Sequence, residues 1–571
     1  MSSPNISQWR PVIGDALFRK FSFLEFYTFD GGGGFINRAL LGSVDSREIT
    51  GLILKQSKLE SFGELPNLDF RRFERWRSIE KSCWINRCYF LPALAQTAWL
   101  DSDRELADLV KRVMIHFLNS CPPPEDVMAH WKRVLHRMEY DYNRKTYEEF
   151  RLDETDVEYV WYDFQVASRL INFLHALYFI RDLADFTPAE AELIRNGLLV
   201  HGQVIYEQES HMEYRNGNHQ SLRQTALLHA AVMNPGDPEA EKWADFAMER
   251  AVRHILGDFN PDGSLKEYAP SYHAFETWHG RDVLALAERL GRPVPPEASE
   301  RIRKAGMVLN AYRRPDGRTL AINDAYPLGA DALLESLGID PAEPQRHTWL
   351  KDGGLAVFQG RKLYAALDCS GYTGEFSHYH AGKNSLMVYA GKQAVIDDPG
   401  CCNYDDPRFR SCKQGEVHSS LLVDGVSDAH SFSIYGFDRW PEILGQDWTD
   451  DHIAAVETSN QPEWQGVSWI RRLECADSAL TVTDVVTGEK EHEYTFHFVL
   501  APDVSVELQS AAELILTVGT EKLKMSFKSD VTVVVEPAVN FQTDPSRETL
   551  RIVVKLKSCV RAELITVLEC L

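Results

Sequence analysis

Apolar residues change their spacing once along this chain, and that change limits the fold more than any motif does. From about Arg71 to Leu337, segments such as VWYDFQVASRLINFLHALYFIRDL and QSLRQTALLHAAVM place apolar residues three and four apart, the period that gives a helix a buried face. The loops NPGDPEAEK, NPDGS and GRPVPPEAS between them carry the Pro, Asp and Gly that punctuate helices. After about His347 the texture becomes short alternating runs, among them GLAVFQG, KLYAALDCS, SLLVDG, ALTVTDVVTG, YTFHFVLA and LRIVVKLK. Alternation with many β-branched residues is the pattern of strands. No strict repeat runs through the helical part, which disfavours a regular TPR or HEAT solenoid and favours a toroid of paired helices. The predicted fold class is α+β and multidomain. An N-terminal (α/α) toroid over 1–339 is followed by an antiparallel β-sheet or sandwich domain over 340–571, with a further division near 470–571 left open. Asp340 to Thr348, with Pro341 and Pro344, reads as the linker.

At 571 residues the chain exceeds one ordinary core, and 44% apolar with 25% charged residues is the balance of a folded protein. The formal charge of −23 argues against a nucleic-acid partner, which needs a basic face. It leaves room for an anion held by local groups, because HMEYRNGNHQSLRQ sets Arg215 and Arg223 against Glu213 alone. No segment holds the roughly 18 uncharged apolar residues of a membrane span, and MSSPNISQWRPVIGD has no apolar leader core. The expectation is a cytoplasmic protein with neither a membrane nor a nucleic-acid partner, and with a homo-oligomer open. Ten cysteines, including adjacent Cys401 and Cys402, form neither a dense disulfide framework nor a CxxC pair, so free thiols are expected. The run Gly31 to Gly34 lacks the ending of a phosphate cradle and reads as a loop.

Chemistry-bearing residues gather in FSHYHAGKNSLMVYAGKQAVIDDPG, residues 376–400. His378 and His380, two apart, would share one face of a strand. Gly391-Lys392 reads as a two-residue turn between Ser385–Ala390 and Gln393–Asp398, which returns Asp397 or Asp398 toward His380, with His418 one loop further on. Two histidines and a carboxylate suit a divalent ion such as zinc; the alternative is a polar strand end with unrelated histidines. In RNGNHQ, Asn218 either caps the following helix or donates to an anion. In NPDGSLKEYAPSYHAFETWHG a helix is expected to begin near Ser271, with Tyr272 in its first turn, where the dipole favours a phenolate; simple packing is the other reading.

Taken in order, NGNHQ, DGSLKEYAPSYH, HYHAGKNSLMVYAGKQAVIDDPG and VHSSLLVDG make the chain resemble the heparinase II/III-like family of polysaccharide lyases, and WYDFQVASRLINF looks like that family's upstream Arg-bearing helix. The resemblance implies an (α/α) toroid followed by an antiparallel β-sheet domain. It also implies β-elimination at a uronic acid, in which a base removes the C5 proton, the bond from C4 to oxygen breaks, and an unsaturated sugar remains. By the same resemblance Asn218 and His219 neutralise the uronate carboxylate and Arg169 is an outlying substrate contact; Gln220 is a further candidate contact, and Tyr404 and Arg408, which follow the candidate ligand Asp398, either bind the sugar or belong to a surface loop. Tyr272 is the acid, serving in both roles on one epimer, and His378 is the partner base. His starts near pKa 6.5 and Tyr near 10, so His378 is the easier base and Tyr272 the easier acid. His380, Asp398 and His418, with Asp397 as substitute for Asp398, are the implied ligands of a mainly structural ion, zinc or else manganese.

The sequence departs from the family pattern at Gly382, where an Asp is common, at His418-Ser419-Ser420 in place of HNT, and at Lys413 in place of an Arg. The expected partner is an anionic uronic-acid-containing oligosaccharide or polysaccharide, glycosaminoglycan fragments ahead of alginate or pectin-like uronides. Rival readings are an inverting glycoside hydrolase using Glu267 and Asp262 and a catalytically silent carbohydrate-binding protein.

Overall fold

A computed structural model describes residues 62–71, 86–88, 90–144, 159–372 apart from 338 and 344, 378–402, 406, 408–431, 436–449, and 452–571 apart from 544. The glycine run at 31–34 and Tyr404 lie outside the described residues. The chain forms two compact units. The first takes residues up to 258 with 275–302 and 335–338; the second takes 259–274, 303–334 and 339–571. Helices give way to strands near 340, yet packing draws two earlier segments into the β-rich unit, and Tyr272 travels with the first of them.

In the first unit the helices α1 (Phe90–Asp101), α2 (Arg104–Ser120), α3 (Val127–Arg144), α4 (Phe164–Ile180), α5 (Pro188–His211), α6 (Asn218–Val232) and α7 (Pro238–Asp258) follow one another through short loops. Their starts are encoded locally. Asp103 caps α2 by accepting from Leu106 N at 3.0 Å, and Thr187 and Glu190 form a reciprocal capping box on α5 with Pro188 at its first position. Each such cap contributes about 1 kcal/mol. Helix α4 is buried along its whole length, because α1, α2, α5 and α6 all pack on it. The capping role read for Asn218 falls instead to Gly217, whose φ of 115° opens α6, a conformation that suits glycine. Two more helices, α8 (Pro270–Leu290) and α9 (Pro296–Ala311), start in one unit and end in the other. No described helix is long and apolar enough to cross a membrane.

The second unit is antiparallel. Strands β1 (His347–Leu350), β2 (Leu355–Gln359), β3 (Leu363–Asp368), β4 (Ser385–Ala390) and β5 (Gln393–Ile396) form a meander in sequence order. Ala390 pairs with Gln393 around Gly391-Lys392, as the turn residues predicted. An eight-stranded sheet runs from Ser505–Ser510 at one edge to Pro441–Trp448 at the other, and a four-stranded sheet holds Leu421–Val423 (β6) beside Tyr494–Val499. Leu386 and Val388 from the first sheet, Trp469, Val482 and Leu514 from the second, and Phe496 and Ile552 from the third share one apolar core. The strand Ser468–Cys475 pairs on both sides within the eight-stranded sheet.

Two buried charges hold the site loops onto this core. Arg471, fully buried, pairs with Asp484 and also donates to the carbonyls of Asn384 and Ser419, each at 2.8 Å. Asp428 accepts from the amides of Gly382 and Lys383 at 2.7 and 2.9 Å. The segments that follow His380 and His418 are thereby tied to rigid strands.

Candidate active site

The candidate residues of the first unit are built around Asp163. This residue precedes α4 with φ +48°, a left-handed value that a non-glycine side chain keeps only when packing over-determines it. One carboxylate oxygen pairs with His219 Nδ1 at 2.8 Å and the other with Arg223. Arg223 also pairs with Glu209, which accepts from Gln220 Nε2 at 2.9 Å, Gln224 Nε2 at 2.7 Å and Arg250 Nη1 at 3.1 Å. Burial pushes the Asp163 carboxyl up, but the charges of Arg223 and His219 outweigh it and hold the group well below the usual carboxylate range. The His219 side chain is 45% exposed while Asp163 is 11% exposed. A buried ionic network thus orients one half-exposed imidazole, beside Asn218 in the first turn of α6.

This arrangement carries a prediction. Asp163→Asn removes the carboxylate that aims His219, so kcat is expected to fall about 10²-fold, the cost of misplacing a positioning group, with far-UV circular dichroism unchanged. Steady-state kinetics with wild-type values in this variant would show that the Asp163 contact has no bearing on turnover.

Three residues expected to contact sugar are engaged within the protein. Arg169, in mid-α4, is fully buried; it donates to His201 Nε2 and to the Asn86 carbonyl, each at 2.8 Å, and lies over the rings of Phe117 and Trp161. Burial pulls its pKa down to about 10. It is a core residue, because a helix buried on every side leaves its arginine no route outward. Gln220 is buried too and serves Glu209. Arg408 is spoken for by Asp406, which accepts from Nε at 2.9 Å and Nη2 at 2.6 Å.

In the second unit His378 and His380 sit in the loop before β4 rather than in a strand, because the ladder starts only at Ser385. They still converge, since one carboxylate gathers them. Asp324 Oδ2 lies 3.0 Å from His378 Nδ1 and 3.0 Å from Lys413 Nζ, while Oδ1 lies 2.7 Å from His380 Nε2. Burial raises the Asp324 pKa, but Lys413 and the hydrogen bonds of both histidines prevail and keep it well below the ordinary carboxylate value. Asn323, at φ +56°, accepts from the His380 amide at 2.9 Å and donates to the Tyr268 carbonyl at 2.7 Å. The Tyr272 ring, in the first turn of α8 as expected, stacks on His378 with centroids 3.6 Å apart and planes at 24°. His378 Nε2 is 3.4 Å from Glu267 Oε2. His378 therefore has a carboxylate at each nitrogen and a tyrosine on its face. Asp262, paired with Glu267 in the hydrolase reading, is consumed by turns: it accepts from the amides of Ser264, Asp352 and Gly353.

The expected ligand trio is not gathered as one donor set. His418 Nδ1 bonds Asp398 Oδ2 at 3.0 Å and its Nε2 faces the Cys412 carbonyl at 3.1 Å, so both ring nitrogens are engaged. Asp397 accepts instead from the side chain of Gln542 and from the Asp398 amide. Among the described residues the group able to hold a metal is His380, Cys401 and Cys412, whose donor atoms lie within 4.8 Å of one another. The His380 Nδ1 atom is buried and without a hydrogen-bond partner, as a ligand nitrogen would be, so the residues present fit a divalent ion.

Residues 61–339 match the family described as Heparinase II/III N-terminus, and residues 342–562 match that described as Heparinase II/III-like, C-terminal. The chain belongs to the heparinase II/III family. Membership brings the polysaccharide-lyase class of carbon–oxygen lyases. The fold has solved counterparts within it. The heparan sulfate lyase HepC mutant from Pedobacter heparinus is 13% identical with a TM-score of 0.64, covering 95% of this chain and 93% of that one. Heparinase III is 14% identical with a TM-score of 0.69, covering 88% and 79%. No curated protein matches the chain significantly.

Within this heparinase II/III chain, one departure from the family pattern has a steric cause. Gly382 stands at φ +75°, and a Cβ there would come within 2.8 Å of His418 Cβ, so an Asp at this place would force the two loops apart. Asp324, Glu267 as a partner of His378, and Asp163 are functional neighbours that sequence reasoning missed or cast otherwise. Asp324 lies in INDAYPLG, 54 residues before His378, and no local spacing links them. The described cysteines are free thiols, as the sequence implies; the signal for a cluster among them is present only as a Cys401-Cys402 pair followed by Cys412.

Proposed function

We propose that this heparinase II/III family member cleaves a uronic-acid-containing glycan by β-elimination, with glycosaminoglycan fragments as its substrate class. The observation that carries the reading is the Tyr272–His378 stack, with His378 Nδ1 on Asp324. With Nδ1 directed to the carboxylate, Nε2 exchanges protons, and Glu267 stands 3.4 Å away to relay them. His378 takes the C5 proton; the electron pair forms the double bond between C4 and C5; the C4–oxygen bond breaks; Tyr272 gives its phenolic proton to the leaving oxygen. On the other epimer Tyr272 serves in both roles. The charge of the uronate carboxylate must be offset for the enolate-like transition state to form, the role that the family resemblance gives to Asn218 and His219. The substrate class follows the names of similar structures, a heparan sulfate lyase and a heparinase.

A divalent ion, zinc ahead of manganese, belongs to the proposal as a structural element that stiffens the loop carrying His378 and His380. The proton transfers run through Tyr272, His378 and Glu267 alone.

Ultraviolet absorbance and mass spectrometry, after incubation with heparin, chondroitin, hyaluronan, alginate and pectic oligosaccharides, test the reading. A new absorbing double bond without added water is expected on a glycosaminoglycan. Products carrying an added water would make the protein a hydrolase, and elimination confined to alginate or pectic substrates would overturn the substrate class.

A further inference from the structure

We propose that His380, Cys401 and Cys412 form a sulfur-rich site for zinc, so that in this chain the metal is held by two thiolates and one imidazole rather than by an all-nitrogen-and-oxygen set. The inference deepens the structural-ion part of the proposed function and makes no use of turnover.

Four features of the unit support it. First, the His380 ring is oriented as a ligand. Its Nε2 is 2.7 Å from Asp324 Oδ1, so the proton sits there and the lone pair lies on Nδ1, which is buried and has no hydrogen-bond partner. A carboxylate behind the far nitrogen is the usual support of a metal-bound histidine. Second, the sulfurs converge on it. Cys401 Sγ lies 3.3 Å from the same Asp324 oxygen, Cys412 ends a one-turn helix at Phe409–Cys412, and the three donor atoms lie within 4.8 Å of one another. Donors on a tetrahedral zinc stand about 3.5–3.8 Å apart, so a contraction of about 1 Å brings these three within bonding distance of one ion, with the fourth position left to a further donor. Third, the pair formerly expected as ligands supports the shell from outside. His418 links Asp398 Oδ2 to the Cys412 carbonyl, and Asp398 Oδ1 accepts from the Gly400 amide at 2.9 Å, next to Cys401. Fourth, charge balances. One divalent ion with two thiolates is neutral, and Asp324 with Lys413 is neutral, which suits residues with almost no solvent exposure. Thiolates select zinc over manganese, magnesium or calcium, whose preferred donors are oxygens.

The test reads the metal's neighbours. Protein purified without chelator is expected to carry one equivalent of zinc, with two sulfur neighbours at about 2.3 Å by zinc-edge X-ray absorption. Cobalt substitution is expected to give intense sulfur-to-cobalt charge-transfer absorption, of which Cys412→Ser removes about half and Cys402→Ser none. A shell of nitrogen and oxygen alone, or wild-type protein that takes up neither metal, would overturn the proposal. If Cys412→Ser does not fold, absorption spectroscopy on the unmutated protein decides. A missing sulfur shell leaves the lyase reading standing, and a silent product assay leaves the zinc site standing.

Discussion

Tyr272→Phe is expected to reduce elimination product by about 10³-fold or more while leaving the protein folded. The ring that stacks on His378 at 3.6 Å is kept, so only the hydroxyl is lost. Removing one hydroxyl from a residue that is 6% exposed costs on the order of 1 kcal/mol, and the melting temperature should move by a few degrees at most. Loss of a general acid typically costs 10²–10⁴-fold. KM should change little, because an acid acts in the transition state more than in the ground state. Product absorbance and a melting curve on the same preparation make the comparison. Turnover at the wild-type rate would remove Tyr272 from the mechanism and leave His378 with Glu267 to carry both transfers.

What could be read from the sequence was what neighbouring residues encode among themselves. The Gly391-Lys392 hairpin and the start of α8 just before Tyr272 were legible because a turn and a helix start are specified within a few residues. The shift from helix to strand near 340 was legible for the same reason. The two-residue spacing of His378 and His380 suggests one face of a strand, but the ladder begins at Ser385 and a loop carries both rings. That they converge all the same is the work of Asp324, a residue in an unpatterned loop that only tertiary packing brings to them. Arg169 shows the opposite failure. Its place in a strongly apolar helix already implied burial, and the family resemblance drew it toward a substrate. The cysteine cluster was hidden by spacing, since Cys401 and Cys412 meet through a one-turn helix and not through a CxxC knuckle.

Asp324→Asn is expected to strike stability and activity together, and a second substitution can separate the two. Lys413, fully buried, lies 3.0 Å from Asp324; losing the carboxylate from a buried pair costs about 3–5 kcal/mol. The same change takes the acceptor from His378 Nδ1, and a histidine whose orienting carboxylate becomes an amide loses on the order of 10³–10⁴ in kcat through the wrong tautomer. Asp324→Asn with Lys413→Met removes both charges, so the double variant should regain much of the lost stability and none of the lost activity. The pH dependence has a definite sign. The Asp324 pKa is depressed in the folded protein, so its contribution is complete above the unfolded value of about 4 and drains away as pH falls below it. Denaturant unfolding from pH 5 down to pH 2 should show a steeper loss for wild type than for the double variant. A single variant that melts with wild type and turns over normally would mean that the two histidines and Lys413 are held by something other than Asp324.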